Sequence, residues 1–293
     1  MSLFDSLTDR NNLFFAYGNV INSLNIIVIS GRHIYSITST RYDMETTILI
    51  DIKNHKIVDL FACNRMNLFT YNSISHNFSI LEINEKYIGI GGVSMPGYCT
   101  FPKGSPANYA NIGKYKDGLY LMKSDNCKIW TEPTKIIDRD WGLYNECCAY
   151  DSQSSLVFDI ITNTYYLYCR WNPFQNHRRL QVFITNNLDI WYNNAIEVTV
   201  DIDIYIYYAY VFKYQDNFVG IVRYYTNIKT FNNYDTHKYG ILLSSNGINF
   251  TMVNPSILDS AYWLLQGHII ENNQIIIYYL NNNGIMKEYK FTI

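Results

Sequence analysis

The sequence has little that reads as helix. Apolar residues seldom recur at the three- and four-residue spacing of an amphipathic helix. Long apolar runs are missing as well, and none approaches the roughly 18 residues a membrane helix needs, so no membrane insertion is expected. Net charge is only −2, which leaves no electrostatic case for nucleic-acid binding. The six cysteines (Cys63, Cys99, Cys127, Cys147, Cys148 and Cys169) form no Cys-x-x-Cys pair. A zinc site is therefore not expected, and buried free thiols are favoured over disulfides. The opening segment, MSLFDSLTDRNN, lacks the basic start and apolar core of a secretory signal, which predicts a cytoplasmic or virion-associated location. Gly89-Ile90-Gly91-Gly92 lies between apolar runs with no helix after it, so it is not a nucleotide loop. No cofactor is expected.

What the chain does have is aromatic and β-branched residues. Tyrosine occurs 28 times, aromatics make up 16% of the chain and hydrophobic residues 48%. That excludes a disordered chain. The excess of Tyr, Ile, Asn and Phe points to an AT-rich coding sequence. A length of 293 residues suffices for a large core in one or two domains. Apolar residues fall in short runs separated by Asn, Asp, Gly and Ser, the all-β pattern. Asn25 to Ser30, His33 to Thr38, Thr46 to Ile52 and Lys56 to Ala62 are early strand candidates, with a hairpin turn at Asn54-His55.

An internal repeat organises the rest. Four segments share an apolar strand, a tight polar turn and a second apolar strand. Their turns are Asn84-Glu85, Thr162-Asn163, Gln215-Asp216-Asn217 and Asn272-Asn273. A third strand follows the first three pairs and ends at Trp130, Trp191 and Phe250, about 60 residues apart. The turns before them, Ser124-Asp125-Asn126-Cys127 and Ser245-Asn246-Gly247, look like degenerate Asp-boxes. In such turns a short polar side chain caps the backbone and a nearby aromatic packs under the sheet. Tyr150 to Trp191 is the clearest unit. A unit of this kind cannot bury both its faces alone, so the units must stack in a ring. The expectation is a single five-bladed β-propeller over residues 1–293, with blades of about four antiparallel strands. An N-terminal strand is expected to complete the C-terminal blade and so close the ring. A β-sandwich would not give the long echo, and a β-helix would give a shorter one.

The first strand of each unit should line a central funnel, with polar residues at one mouth. Those residues are His76 and Asn77, Asp151 with Ser152 and Gln153, Asp203 with Tyr205, Tyr207 and Tyr208, and Gln266 with His268. A cap for Asp151 and structural roles for the histidines are the plainer readings. Arg170, Arg178 and Arg179 are the densest basic cluster, and Arg170 could reach the mouth to bind carboxylate or hydroxyl groups. A surface ion-pair role is the alternative. The Tyr-rich run from Tyr205 to Tyr214 reads as core packing or as stacking platforms for sugar rings. No ligand spacing supports a metal near His268.

Asp151-Ser152-Gln153, Phe158-Asp159, the Thr-Tyr-Tyr-Leu-Tyr run and Arg170 resemble the D-S-Q-N…F-W-D…Y-F-R signature of five-bladed glycoside hydrolase-like proteins near families 32, 43, 68 and 117. His76-Asn77-Phe78 with Gly91-Gly92, and Asp117-Gly118-Leu119-Tyr120 with Ser124-Asp125, are similar to further segments of that group. The resemblance spans roughly residues 70 to 280. It implies a funnel that binds an oligosaccharide and carboxylates that hydrolyse a glycosidic bond. By position, Asp151 would stabilise or tune, Asp203 would donate the proton, and Glu146 would be its reserve. His76, Asn77, Ser152, Gln153, Arg170, Tyr207, Gln266 and His268 would bind substrate. Asn77 stands where that group should supply a base, and an amide cannot act as one. A propeller that only binds glycans, or serves as an interaction part, is the alternative.

Overall fold

The computed structural model describes residues 13–24, 26–37, 40–51, 57–59, 77–92, 118–127, 129–138, 140–143, 150, 152–174, 177–230, 233–258, 263–280 and 286–293. It is all-β, a propeller arrangement of antiparallel sheets. Two single turns of 3-10 helix, Ile228–Thr230 and Tyr234–Thr236, are the helical pieces among the described residues.

The N-terminal meander runs through β1 (Leu13–Ile21), β2 (Ile26–Ile37), β3 (Thr40–Asp51) and β4 (Ile57–Asp59). Two of the expected strands, Asn25 to Ser30 and His33 to Thr38, are here one strand. β2 pairs with β3 without interruption from Ile26↔Asp51 to Ile37↔Thr40, and that ladder carries the chain across Gly31 and Arg32. The Asn54-His55 turn lies outside the described residues.

The second meander is β5 (Ser79–Ile83), β6 (Lys86–Gly91), β7 (Gly118–Ser124) and β8 (Thr134–Asp138), and the third is β9 (Ser155–Asp159), β10 (Thr164–Phe174), β11 (His177–Thr185) and β12 (Ile196–Glu197). A short β13 (Thr199–Val200) joins the sheet of β14 (Tyr205–Tyr214), β15 (Asn217–Tyr225), β16 (Lys238–Ser244) and β17 (Asn249–Leu258). The chain ends in β18 (Trp263–Glu271), β19 (Gln274–Leu280) and β20 (Met286–Phe291).

The polar turns are where the sequence put them, for a local reason. Asn84-Glu85 and Asn272-Asn273 have positive φ at both residues, from 48° to 61°. That is the hairpin geometry whose twist matches the flanking strands, and asparagine tolerates it. Gln215 bends at φ 52° and Asn163 at φ 51°.

The strands form four hydrogen-bonded sheets, of seven, five, four and four strands, and not five separate blades. The reason is one junction. β1 pairs in parallel with β18, Gly18 opposite Leu265 and Asn19 opposite Gln266, which joins the first and last meanders in one sheet. Gly267 permits the approach: at φ 128° its Cβ would stand 2.5 Å from the Val20 carbonyl oxygen, so a side chain there would push the strands apart. The N-terminal strand therefore lies against the first strand of the C-terminal meander. It thus adds to the sheet of the C-terminal meander at β18, and among the described residues no strand lies outside β20.

Apolar clusters hold neighbouring meanders together. Ile21, Ile26 and Val28 pack with Phe78, Tyr87 and Trp130. Ile88, Ile90 and Leu119 pack with Tyr150, Leu167 and Trp191. Val157 and Leu180 pack with Ile204, Val222 and Phe250. Phe212 and Ile221 pack with Leu264 and Ile275, and Leu265 and Ile276 pack with Val20 and Ile27. Fully burying such side chains stabilises by roughly 1.5–3 kcal/mol each.

Three outer turns repeat in detail. Ser124 Oγ accepts from the Asn126 amide at 3.2 Å and donates to the Ile129 carbonyl at 2.6 Å. Thr185 Oγ1 does the same with Asn187 and Ile190, at 3.1 and 2.7 Å. Ser244 Oγ accepts from Asn246 and Gly247, at 3.3 and 2.9 Å. Each asparagine then caps amides further along, and Trp130, Trp191 and Phe250 are buried six positions after the hydroxyl residues. The cap is a hydroxyl with an amide, not the carboxylate of an Asp-box.

Candidate functional site

The strands nearest the axis are stitched by side chains where backbone pairing cannot reach. Gln153 is 2% exposed, and its Nε2 donates to the Phe78 carbonyl at 2.8 Å and to Asn19 Oδ1 at 3.1 Å. Tyr208 Oη donates to Gln153 Oε1 at 3.3 Å. Asn19 Nδ2 donates to the Phe78 carbonyl at 3.0 Å and its Oδ1 accepts from the Ile80 amide at 3.0 Å. Ser155 Oγ bridges the Val211 amide and carbonyl, at 2.9 and 2.8 Å. Gln266 Nε2 donates to the Ser154 carbonyl at 2.9 Å. A buried, satisfied network of this kind fixes the relative placement of the strands.

Beside this network lies a cationic aromatic pocket. Strands alternate in direction, so the beginnings of β14, β16 and β18 and the ends of β10 and β15 meet on one side. Tyr207 occupies a bulge: Ile206 pairs with Tyr224 and Tyr208 with Arg223, which leaves Tyr207 outside the ladder. Bulges re-aim side chains in this way. Three guanidinium groups face its ring, Arg178 at 4.4 Å, Arg223 at 5.6 Å and Arg170 at 5.7 Å from the centroid. Arg223 also stands 4.8 Å from the Trp263 ring and 5.6 Å from the Tyr239 ring. Arg170 is 3% exposed and Arg223 1%. Tyr207, Tyr208, Arg223, Tyr239, Trp263 and Leu264 line a small crevice that opens to solvent. A second aromatic layer lies behind it, with Tyr205 stacked on Tyr225 at 5.1 Å and His237 on Tyr225 at 5.0 Å. Burial pushes the Tyr225 hydroxyl up to about 12, against the pull of Arg178, Arg170 and Arg179. Burial raises Tyr239 likewise, with Arg223 opposing.

Of the residues expected at the site, Asp151, Glu146 and His76 lie outside the described residues. Asn77 is buried at φ 54°, and its side-chain atoms have no hydrogen bond among the described residues. Ser152 is buried, its amide bonded to the Tyr150 carbonyl at 2.8 Å. Gln153 and Gln266 belong to the central network. His268 Nδ1 meets Tyr210 Oη at 2.9 Å, and its ring stacks on Phe212 at 3.9 Å. Burial lowers its pKa to about 4. Asp203 is on the surface, its side chain 83% exposed and 3.3 Å from Arg179. Arg170 and Tyr207 come together at the pocket; Asp203 does not line it. Arg223, Tyr239 and Trp263 were not anticipated. The one available signal was a lone arginine inside the apolar run Phe218 to Tyr225. Among the described residues no group of three or more His, Cys, Asp or Glu side chains is placed to hold a metal.

No family model and no curated protein matches the sequence. Solved structures do match in fold. A β-1,2-mannobiose phosphorylase from Listeria innocua, in complex with β-1,2-mannobiose, superposes with a TM-score of 0.60 at 9% identity, covering 100% of this chain and 94% of that one. An N-acetylgalactosamine deacetylase from F. plautii, in complex with blood group B trisaccharide, gives 0.59 at 10% identity over 96% and 89%. An α-L-arabinofuranosidase from Clostridium thermocellum gives 0.52 at 13% identity over 95% and 85%. At these identities the likeness is one of fold: this chain is a β-propeller similar in architecture to those structures.

Proposed function

We propose that this chain binds a carbohydrate at the mouth marked by Tyr207. The observation that carries the proposal is the bulged tyrosine, ringed by Arg170, Arg178 and Arg223 and bordered by Trp263 and Tyr239. Aromatic faces take the apolar face of a sugar ring, and guanidinium groups donate to its oxygens. Asn77, buried near the start of β5, is a further donor and acceptor for a hydroxyl. Structures of the same fold hold mannobiose, a blood group trisaccharide and xylotriose, which supports the ligand class.

Glycosidic hydrolysis is the second reading. It is favoured by the glycosidase names among structures of this fold and by the Asp151-Ser152-Gln153 block. It assigns acid and stabilising roles to Asp203, Glu146 and Asp151, and the exposed position of Asp203 weighs against it. A glycan array and a chromogenic-glycoside screen with the whole chain test both readings. Binding that Tyr207→Ala abolishes, without turnover, is the expected result. Turnover abolished by Asp151→Asn would establish the second reading, and an array without any binding would end the first.

A further inference from the structure

We infer that two copies of this chain pair edge to edge through β20, antiparallel, as a twofold-symmetric dimer. The C-terminal meander is a strand short. β7, β11 and β16, the third strands of the three middle meanders, each pair with a following fourth strand, β8, β12 and β17. Among the described residues no strand pairs with the outer side of β20. Burial reflects the difference. The centres of β7, β11 and β16 are buried, whereas Lys287, Glu288 and Lys290 of β20 are exposed. β20 also follows β19 without a bulge, from Met286 opposite Leu280 to Phe291 opposite Ile275, so nothing turns its edge away. Such an edge presents backbone groups that another strand can take up.

The charges of β20 point to a second copy as the partner. The strand reads Met-Lys-Glu-Tyr-Lys-Phe. Laid antiparallel on itself, with Tyr289 opposite the partner's Tyr289, it sets Glu288 opposite Lys290 of the partner subunit. Symmetry repeats the pair. Within one chain Glu288 and Lys290 stand 3.5 Å apart and half exposed, so the joint would carry four charges of alternating sign on one face. Sliding the strands by two residues sets Glu288 against itself or Lys290 against itself, and like charges directly opposite destabilise. Edge lysines ordinarily keep strands apart. In this register Lys290 is matched, and the charges select one alignment. An isologous contact of this kind closes on itself. Six residues a side is a small interface, so the dimer is weak and concentration-dependent.

Sedimentation velocity of the intact chain, from low to high micromolar concentration, reads the association. The expected result is a shift from monomer to dimer, weakened by added sodium chloride. Glu288→Lys and Lys290→Glu each set like charges across the joint, and each should raise the dissociation constant about tenfold or more. Mixed in equal amounts, the two variants should pair with each other at least as well as the parent pairs with itself, because every lysine then meets a glutamate. The double variant, Glu288→Lys with Lys290→Glu, should dimerise as the parent does. Both side chains are exposed, so thermal midpoints should match across the set and loss of fold is not confused with loss of pairing. A parent chain that stays monomeric throughout overturns the inference. A dimer that survives both single variants lies on another surface and overturns it as well. Single variants that remain apart when mixed overturn the antiparallel register.

Discussion

The side-chain amide of Gln153 donates to the backbone carbonyl of Phe78 at 2.8 Å and so joins the starts of β9 and β5. The same amide meets Asn19, and its oxygen accepts from Tyr208. One residue thus ties together strands of three other meanders. Replacing it by leucine takes one hydrogen bond each from Asn19, Phe78 and Tyr208, at a net cost of about 1 kcal/mol for each bond. Gln153→Leu is expected to lower the urea midpoint with an unchanged m-value. A variant as stable as the parent, but weaker in glycan binding, would instead make Gln153 a ligand contact.

The repeated outer turns predict a graded series. Trp191→Ala empties a buried site and should cost about 3–5 kcal/mol. Ser244→Ala removes the acceptor for two backbone amides, a loss of about 1 kcal/mol. Denaturant titration of the two variants measures the gap. A Ser244→Ala cost as large as that of Trp191→Ala would show that the caps, not the aromatics, hold the turns.

His268 predicts a pH dependence. Its pKa falls to about 4 in the folded chain because burial disfavours the charged ring, against about 6.5 unfolded. Between those values the unfolded chain takes up the proton first, so stability is intact above about pH 6.5 and is lost as pH falls toward 4. The loss is at most about 3 kcal/mol, and less to the extent that water reaches the ring edge. His268→Phe should flatten the slope of unfolding free energy against pH in that window. Parallel slopes for parent and variant would contradict this origin.

Tyr207 predicts a loss confined to binding. Tyr207→Leu removes the ring that Arg170, Arg178 and Arg223 share, and glycan affinity should fall about tenfold or more. Tyr192, 59% exposed, serves as control, and Tyr192→Leu should bind as the parent does. Calorimetric titration with the best array glycan reads both.

Much of this architecture is legible in the chain because it is locally determined. Asn84-Glu85 and Asn272-Asn273 bend where left-handed geometry is cheapest, and the hydroxyl, asparagine and aromatic of each outer turn lie within seven residues. The β1–β18 junction is not legible in this way. Its pairing depends on where the ring brings Gly18 and Leu265 together, and on Gly267 staying without a side chain. The site was half legible for the same reason. Tyr207 could be picked out as a polar group on an inner strand, and Arg170 as the end of a strand in the densest basic cluster. Arg223 sits in the second strand of its meander, where alternation predicts core, and the bulge at Tyr207 leaves that ring beside it. Asp203 looked like an inner-strand acid, but it lies just before β14 and pairs outward with Arg179.

The β1–β18 junction also sets the order of events as the chain is made. About 250 residues separate Gly18 from Leu265, so at about 5–20 residues per second the free edge of β1 waits roughly 12–50 s for its partner. During that time the first meander leaves the ribosome with one edge unpaired. Assembly of the ring is therefore a late event, gated by synthesis of β18, and a chain truncated before Trp263 would keep that edge open for pairing with another copy.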